Sequence, residues 1–251
     1  MIERIEQQAG VFRSLAIYYR PGRVSRLSNF YAQFVQPGSL CFDIGAHVGN
    51  RVAAWRHLGA RVVAVEPAAH LMSWLRRFYG RAPDVTLVQA AVGAAAGAAT
   101  LRHDPRNPTV ASLSDSWIAA VSREPSFGGV NWRAAEPVMV TTLDALITQY
   151  GIPQLCKIDI EGYETEALRG LSHPVPVVSF EYIPAVMDVA QACVTRLAEL
   201  GGYEFNWFPG ESHSFAATKW LTPADIYEKL DQLATERGSG DVFARLVSIA
   251  R

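Results

Sequence analysis

Two short motifs carry residue types that could bind a small polar molecule. In "CFDIGAHVGN" an apolar run ends at Asp43 and passes through Gly45 and Gly49 into a helical pattern. In "RVVAVEP" a second apolar run ends at Glu66. Amides at a helix start bind anions, and ligands of α/β sheets gather at the carboxyl ends of the strands. The motifs therefore predict a ligand with a carboxylate, an ammonium and vicinal hydroxyls.

The glycine spacing argues against a site that binds a nucleotide through its phosphates. A dinucleotide site needs G-x-G-x-x-G, whose middle glycine lets the backbone approach a pyrophosphate. Here the spacing is Gly45-x-x-x-Gly49 with His47 between them, and the G-K-[ST] of a Walker loop occurs nowhere in the sequence. S-adenosylmethionine, which has an amino-acid tail and a ribose but no phosphate, fits better. A nicotinamide-dependent oxidoreductase remains as a disfavoured alternative.

Each polar group of S-adenosylmethionine has a predicted partner. Asp43 faces the ammonium, directly or through water, amides of the glycine turn and helix start bind the carboxylate, and Glu66 binds both ribose hydroxyls. Pro67 ends the second strand and leaves Glu66 at the carboxyl edge of the sheet. The predicted cofactor site consists of Asp43, Gly45, His47, Gly49, Asn50, Glu66, Pro67, Ala91 and Asp159.

The elements that must position these residues alternate along the chain. Short apolar runs alternate with helical patterns, which predicts βαβ units and a parallel sheet in one domain. "VTLVQAAVG" is predicted as one strand, and "YEFNWF" with "SHSFAAT" as a closing antiparallel pair. Thr142 and Thr222 are predicted N-caps. Residues 1–36 are predicted as a helical extension, 37–251 as the main domain, and the irregular stretch 104–135 as a substrate lid.

Seven blocks of the sequence resemble those of the FkbM-type S-adenosylmethionine-dependent methyltransferases, densely over about residues 38–183. The blocks are "FDIGAHVGN", "VVAVEPAAHL", "VTLVQAAVG", "VTTLDAL", "LCKIDIEGYETEALRGL", "VVSFEY" and "GDVFARL". The resemblance implies an α/β, Rossmann-like class I methyltransferase fold, with a seven-stranded, mostly parallel sheet and helices on both faces. It also implies O-methylation of a hydroxyl on a sugar or natural-product intermediate. His47 departs from the small residue that many relatives have there.

Carboxylates at two further strand ends could serve the transfer itself. Displacement at a sulfonium needs donor and acceptor in line, and an alcohol acceptor must lose a proton. Asp159 and Glu181 are the predicted catalytic residues, and His213 is the alternative base. Lys157 is expected to pair with one of the two carboxylates. We expect no metal; Mg²⁺ is the alternative, and it would need Glu161 or a lid residue as a third ligand.

The methyl acceptor is less defined than the donor. Trp117, Phe127 and Trp132 of the lid, with N-terminal aromatic residues, could form a pocket for a sugar or another ring-shaped substrate. The same residues are equally consistent with core packing or with contacts in a homodimer. A non-catalytic partner subunit that keeps the cofactor fold is the alternative to an enzyme, although it would not need all of the predicted site residues.

The composition indicates which kinds of partner and which cellular compartment to expect. The chain of 251 residues has 23 basic and 24 acidic residues, so no basic excess points to nucleic acid. Its three cysteines lack a CxxC spacing and read as buried thiols in a reducing compartment. No apolar stretch approaches the ~20 residues of a membrane helix. We therefore expect a cytoplasmic protein that acts on a small hydroxyl-bearing molecule, without nucleic acid or membrane partners.

Overall fold

The computed structural model describes residues 2–247, in which strands and helices alternate as the sequence predicts. The strands are β1 Leu40–Ile44, β2 Arg61–Val65, β3 Val85–Val88, β4 Ala91–Val92, β5 Gly97–Asp104, β6 Asn107–Ser112, β7 Ala134–Thr141, β8 Leu155–Ile158, β9 Val177–Tyr182, β10 Tyr203–Pro209 and β11 Gly240–Leu246. The α-helices are α1 Ile2–Tyr18, α2 Arg23–Tyr31, α3 Asn50–His57, α4 Ala69–Tyr79, α5 Asp115–Val121, α6 Leu143–Tyr150, α7 Glu164–Arg169, α8 Met187–Leu200 and α9 Pro223–Leu233.

The main sheet has seven strands in the order β10-β11-β9-β8-β1-β2-β3. Strands β3, β2, β1, β8 and β9 pair in parallel, whereas β11 is antiparallel to both β9 and β10. Every residue of β1 and β8 is buried, as expected for parallel strands covered by helices on both faces. The predicted seven-stranded, Rossmann-like α/β fold is therefore confirmed.

Local capping signals fix two of the helices as predicted. The Thr142 hydroxyl accepts a hydrogen bond from the amide of Ala145 at the start of α6. Thr222 and Asp225 form a reciprocal capping box at the start of α9. Such caps satisfy amides that have no partner within the helix, so they mark a helix start in the sequence itself.

A second sheet, in the order β4-β7-β5-β6, corrects two predictions. "VTLVQAAVG" is not one strand: β3 ends at Val88, and Ala91–Val92 pair with β7 in the second sheet. The stretch 104–135 is not irregular, because it contains β6, α5 and a 3-10 turn at Pro125–Phe127. Short strands and one short helix gave too little periodicity for the sequence to reveal them.

The predicted closing strand pair is also wrong. β10 forms its ladder with β11, whose residues Val242, Phe243 and Ala244 are fully buried. "SHSFAAT" forms no strand, although the Ala216 amide donates a hydrogen bond to the Trp207 carbonyl oxygen at 2.8 Å. His213 in that segment has a φ of 49°, outside the β region. The strand partner of β10 is thus distant in the sequence.

The two N-terminal helices cover opposite parts of the domain. In α1, Gly10 packs so closely on the β5–β6 turn that a Cβ would lie 2.9 Å from the Arg106 carbonyl oxygen. Glu6 pairs with Arg106 at 2.7 Å and also with Arg133. In α2, Tyr31 is buried against Trp55 of α3, with ring centroids 5.3 Å apart. Over residues 2–247, no helix has the length and apolarity needed to cross a membrane.

Candidate active site

A cavity of about 300 Å³ opens at the carboxyl ends of the central strands. Seven of the nine predicted cofactor residues and the predicted catalytic Glu181 lie on its wall. They are Gly45, His47, Asn50, Glu66, Pro67, Ala91, Asp159 and Glu181. Two predicted residues, Asp43 and Gly49, are not on the wall, for the reasons given below.

The glycines of the first turn are required by packing within the protein. Gly45 and Gly49 have φ values of 85° and 79°, which side chains rarely adopt. A Cβ on Gly45 would lie 1.9 Å from the carbonyl oxygen of Asp159. A Cβ on Gly49 would lie 2.6 Å from the ring of Tyr79. Gly49 therefore serves the contact with α4 and not the ligand wall.

Asp43 is buried beneath the turn. Its side chain is in register with Lys157 on β8, and the residue is 1 % exposed. Neither carboxylate oxygen has a hydrogen-bond partner among the described residues. Burial raises the pKa of Asp43 to about 7, against the opposing influence of Arg51. Of the two contacts with the ammonium that we expected, direct or through water, only the bridged one fits the structure, because Asp43 does not reach the cavity.

Glu66 combines a place on the cavity wall with a structural role that the sequence did not reveal. Its two oxygens accept hydrogen bonds from the amides of His47 and Ala68, each at 2.9 Å. Burial raises the pKa of Glu66 to about 7, although both hydrogen bonds oppose this. Each carboxylate oxygen has two acceptor positions, so each keeps one for a ligand. Glu66 thus holds the glycine turn and the start of α4 in place.

His47 forms a neutral part of the wall, as its position between the glycines suggested. Burial lowers the pKa of its imidazole to about 3. Its Nε2 is buried without a hydrogen-bond partner in the described part of the chain. The ring of Tyr18 from α1 stands edge-on to it, with centroids 5.6 Å apart, and also lines the cavity. Tyr18 belongs to the N-terminal aromatic residues that we expected at the acceptor pocket, and the structure places it on the cavity wall beside His47.

A charged network surrounds Asp159. Its Oδ2 lies 2.9 Å from Nη2 of Arg51 and 3.6 Å from Nζ of Lys157. Burial alone would raise the pKa of Asp159, but Lys157 and Arg51 outweigh it and lower the pKa. Lys157 is fully buried, and its nearest partner is Asp241 at 2.7 Å rather than Glu181. Sequence reasoning missed Arg51, although a cation in the first turn of a helix opposes the dipole and is itself a signal.

Glu161 and Glu181 complete an acidic group with Asp159. Carboxylate oxygens of the three residues lie within 4.8 Å of one another, an arrangement able to hold a divalent cation. Burial, with repulsion from Glu181, raises the pKa of Glu161 well above its usual range. Burial, with repulsion from Asp159, does the same for the pKa of Glu181. Glu161 therefore occupies the place of the third carboxylate that a magnesium site would need.

The other predicted acceptor residues lie away from the cavity. Trp117 is 2 % exposed and packs against Phe127 and Trp132, with ring centroids 5.6 and 6.1 Å away. These three residues form a small core inside the predicted lid. His213 packs on Phe30 with centroids 5.8 Å apart, and burial lowers the pKa of its imidazole. It lines an adjoining crevice, which shares Arg51 and Asp241 with the cavity wall.

Comparison with known proteins agrees with this architecture. The family model described as the methyltransferase FkbM domain matches residues 43–192. No curated protein matches the chain.

Several solved structures are similar in fold at low sequence identity. Precorrin-6y C5,15-methyltransferase from Geobacter metallireducens is 13% identical, with 91% of this chain and 89% of that chain covered and a TM-score of 0.46. A TehB-like SAM-dependent methyltransferase from Corynebacterium glutamicum is 11% identical, with 94% of each chain covered and a TM-score of 0.46. A putative methyltransferase from Streptococcus mutans in complex with SAH is 10% identical, with 91% and 98% covered and a TM-score of 0.45. Because the family model spans more than half of the sequence, the protein belongs to the FkbM methyltransferase family, and S-adenosylmethionine is its cofactor.

Proposed function

We propose that this methyltransferase acts on a hydroxyl oxygen of a small polar molecule, such as a sugar or a natural-product intermediate. The observation that carries the proposal is the pair Glu161 and Glu181, two cavity-lining carboxylates whose pKa values are raised. An alcohol must lose its proton during transfer, and a base works best when its pKa lies near the operating pH. Raising the pKa of a carboxylate makes it a stronger base.

The residues on the donor side fit S-adenosylmethionine. α3 begins after Gly49 without a side-chain cap, so the amides of its first turn are free to bind a carboxylate. Asn50 of that turn lines the cavity, as does Glu66, whose free acceptor positions suit the ribose hydroxyls. When bound, S-adenosylmethionine supplies an electrophilic methyl group on a sulfonium. The chain's own residues then have to orient the acceptor and take up its proton.

Among the carboxylates, Glu181 suits the role of general base better than Asp159. Asp159 is held ionised by Lys157 and Arg51, and a carboxylate with a lowered pKa is a weak base. It remains suited to accepting a hydrogen bond from the acceptor hydroxyl. Glu181 lines the cavity, and burial with repulsion from Asp159 raises its pKa, which makes it the stronger proton acceptor of the two.

Glu181→Gln tests the base, because it keeps the size of the side chain and removes its proton affinity. With acceptors chosen from monosaccharides, sugar nucleotides and phenols, we expect turnover to fall by ~10²–10⁴ while affinity for S-adenosylhomocysteine stays the same. Glu204→Gln, on a surface carboxylate paired with Arg245, is the matched control.

Two results would contradict the proposal. The first is a product with the new methyl group on nitrogen or carbon, as determined by NMR. The second is turnover that EDTA abolishes and Mg²⁺ restores, since the carboxylates would then act as metal ligands and not as the base. A protein that binds S-adenosylhomocysteine but methylates no acceptor in the panel would instead favour the non-catalytic subunit.

A further inference from the structure

The turn that carries Glu161 has an unfavourable backbone conformation. Glu161 has a φ of 54° and Gly162 a φ of 85°, so two consecutive residues are left-handed. The left-handed region is uncommon for a residue with a side chain and persists only where surrounding contacts impose it. The position of the Glu161 carboxylate in the cavity therefore depends on whatever holds this turn.

The strongest of these contacts comes from the second sheet. The hydroxyl of Ser112, at the end of β6, donates a hydrogen bond to the carbonyl oxygen of Glu161 at 2.6 Å. The same hydroxyl accepts a hydrogen bond from the amide of Ser114 at 2.9 Å, which fixes its orientation. Ser112 is 1 % exposed, so water does not compete for these bonds. The hydroxyl thus uses its single proton as a donor and one of its two acceptor positions.

Two further contacts enclose the turn. Trp117 of α5 packs on Gly162 so closely that a Cβ there would lie 2.1 Å from the indole ring. From the other side, Oε1 of Glu164 accepts hydrogen bonds from the amides of Ile160 at 3.0 Å and Gly162 at 3.3 Å. The turn is thus held between α7 and the segment β6–α5, which is the predicted lid.

We propose that Ser112 is a positioning residue for methyl transfer: from the second sheet it fixes the Glu161 turn and so sets the Glu161 carboxylate beside Glu181. The inference rests on the proposed function, in which these two carboxylates serve the acceptor. It also gives the segment 104–135 a different role from the one predicted from its aromatic residues. The segment acts through the backbone of Glu161 and not through a stacking surface for the substrate.

The test compares Ser112→Ala with Ser112→Thr, which retains the hydroxyl. Ser122→Ala is the matched control, because Ser122 lies in the same segment but is exposed, and its hydroxyl donates to the carbonyl oxygen of Ile118 in the preceding turn. A misplacement of about 1 Å in a catalytic group can cost ~10²-fold in rate. We therefore expect Ser112→Ala to lower kcat by about 10- to 100-fold and to shift the acid limb of its pH profile. Affinity for S-adenosylhomocysteine should not change, and Ser112→Thr should restore most of kcat.

Amide hydrogen exchange of the full-length protein gives a second readout that needs no acceptor. Loss of the Ser112 hydroxyl should accelerate exchange at Ile160 and Gly162, while exchange in β1 and β8 stays at the wild-type rate. Unchanged exchange at these two amides would overturn the inference, as would Ser112→Ala with the wild-type kcat and pH profile. If exchange accelerates while Glu181→Gln retains normal turnover, the positioning of the turn is supported and the proposed base is not.

Discussion

Asp43→Asn tests how much the buried charge of Asp43 destabilises the folded protein. Asp43 is 1 % exposed with no hydrogen-bond partner in residues 2–247, and burial raises its pKa from 3.8 to about 7. A carboxyl group whose pKa is raised by folding stabilises the protein fully below its unfolded pKa. That contribution is lost as the pH rises through the folded pKa. In this protein it is lost between about pH 4 and pH 7.

The magnitude follows from the shift. Three pKa units at about 1.4 kcal/mol per unit give about 4 kcal/mol as the upper limit of the cost of ionising Asp43 in the ligand-free protein. Asparagine removes the charge and so avoids this cost. Its amide is buried without a hydrogen-bond partner, however, which destabilises the folded protein by about 1–3 kcal/mol. We therefore expect Asp43→Asn to raise the free energy of unfolding at pH 8 by about 1–3 kcal/mol, and to leave it unchanged or lower at pH 4.

Urea unfolding of the ligand-free protein, followed by circular dichroism at pH 4 and pH 8, measures both values. The control is Asp231→Asn, since Asp231 is exposed and its contact with Gln191 is available to an amide oxygen as well. The reasoning would be refuted if Asp43→Asn were destabilising at pH 8, or if its stability changed with pH as much as that of the wild type.

Two further substitutions probe the ligand site and the ion pair beneath it. Glu66→Ala should weaken binding of S-adenosylhomocysteine by about 1.5–3 kcal/mol for each charge-assisted hydrogen bond lost, measured by calorimetric titration of a protein that remains folded. Unchanged affinity would show that Glu66 holds only the backbone of the turn. Lys157→Met should lower the free energy of unfolding by about 3–5 kcal/mol in urea, because Asp241 and Asp159 would lose their buried counter-charge. A loss below about 1 kcal/mol would mean that Arg51 neutralises the group without Lys157.

Local sequence signals account for the parts of the structure that were predicted correctly. A strand, a glycine turn and a helix follow one another within a few residues, so "CFDIGAHVGN" and "RVVAVEP" place the Gly45 turn and Glu66 directly. Burial on both faces of β1 explains why the sequence did not show that Asp43 lies beneath the turn and not on the cavity wall. In a strand with one exposed face, alternation shows which way a side chain points, but β1 has no such alternation. Pairing of β10 with β11 was missed because α9 separates them and no short-range signal records the contact.

The cavity wall has an excess of negative charge, which destabilises the ligand-free protein. Six carboxylates line the cavity, namely Glu66, Asp159, Glu161, Glu181, Glu211 and Asp241, and Arg51 is the one arginine or lysine among the described residues of its wall. Lys157 and Arg51 pair with Asp159, whereas Glu161 and Glu181 form no ion pair within residues 2–247. Burial raises their pKa values most, and the repulsion between the carboxylates adds to it; a ligand with a net positive charge reduces that repulsion. S-adenosylmethionine has such a charge, so we expect a methyl donor bound beside this pair to relieve the repulsion and to stabilise the protein. The demethylated product lacks the sulfonium charge, so we expect it to be held less tightly than the donor.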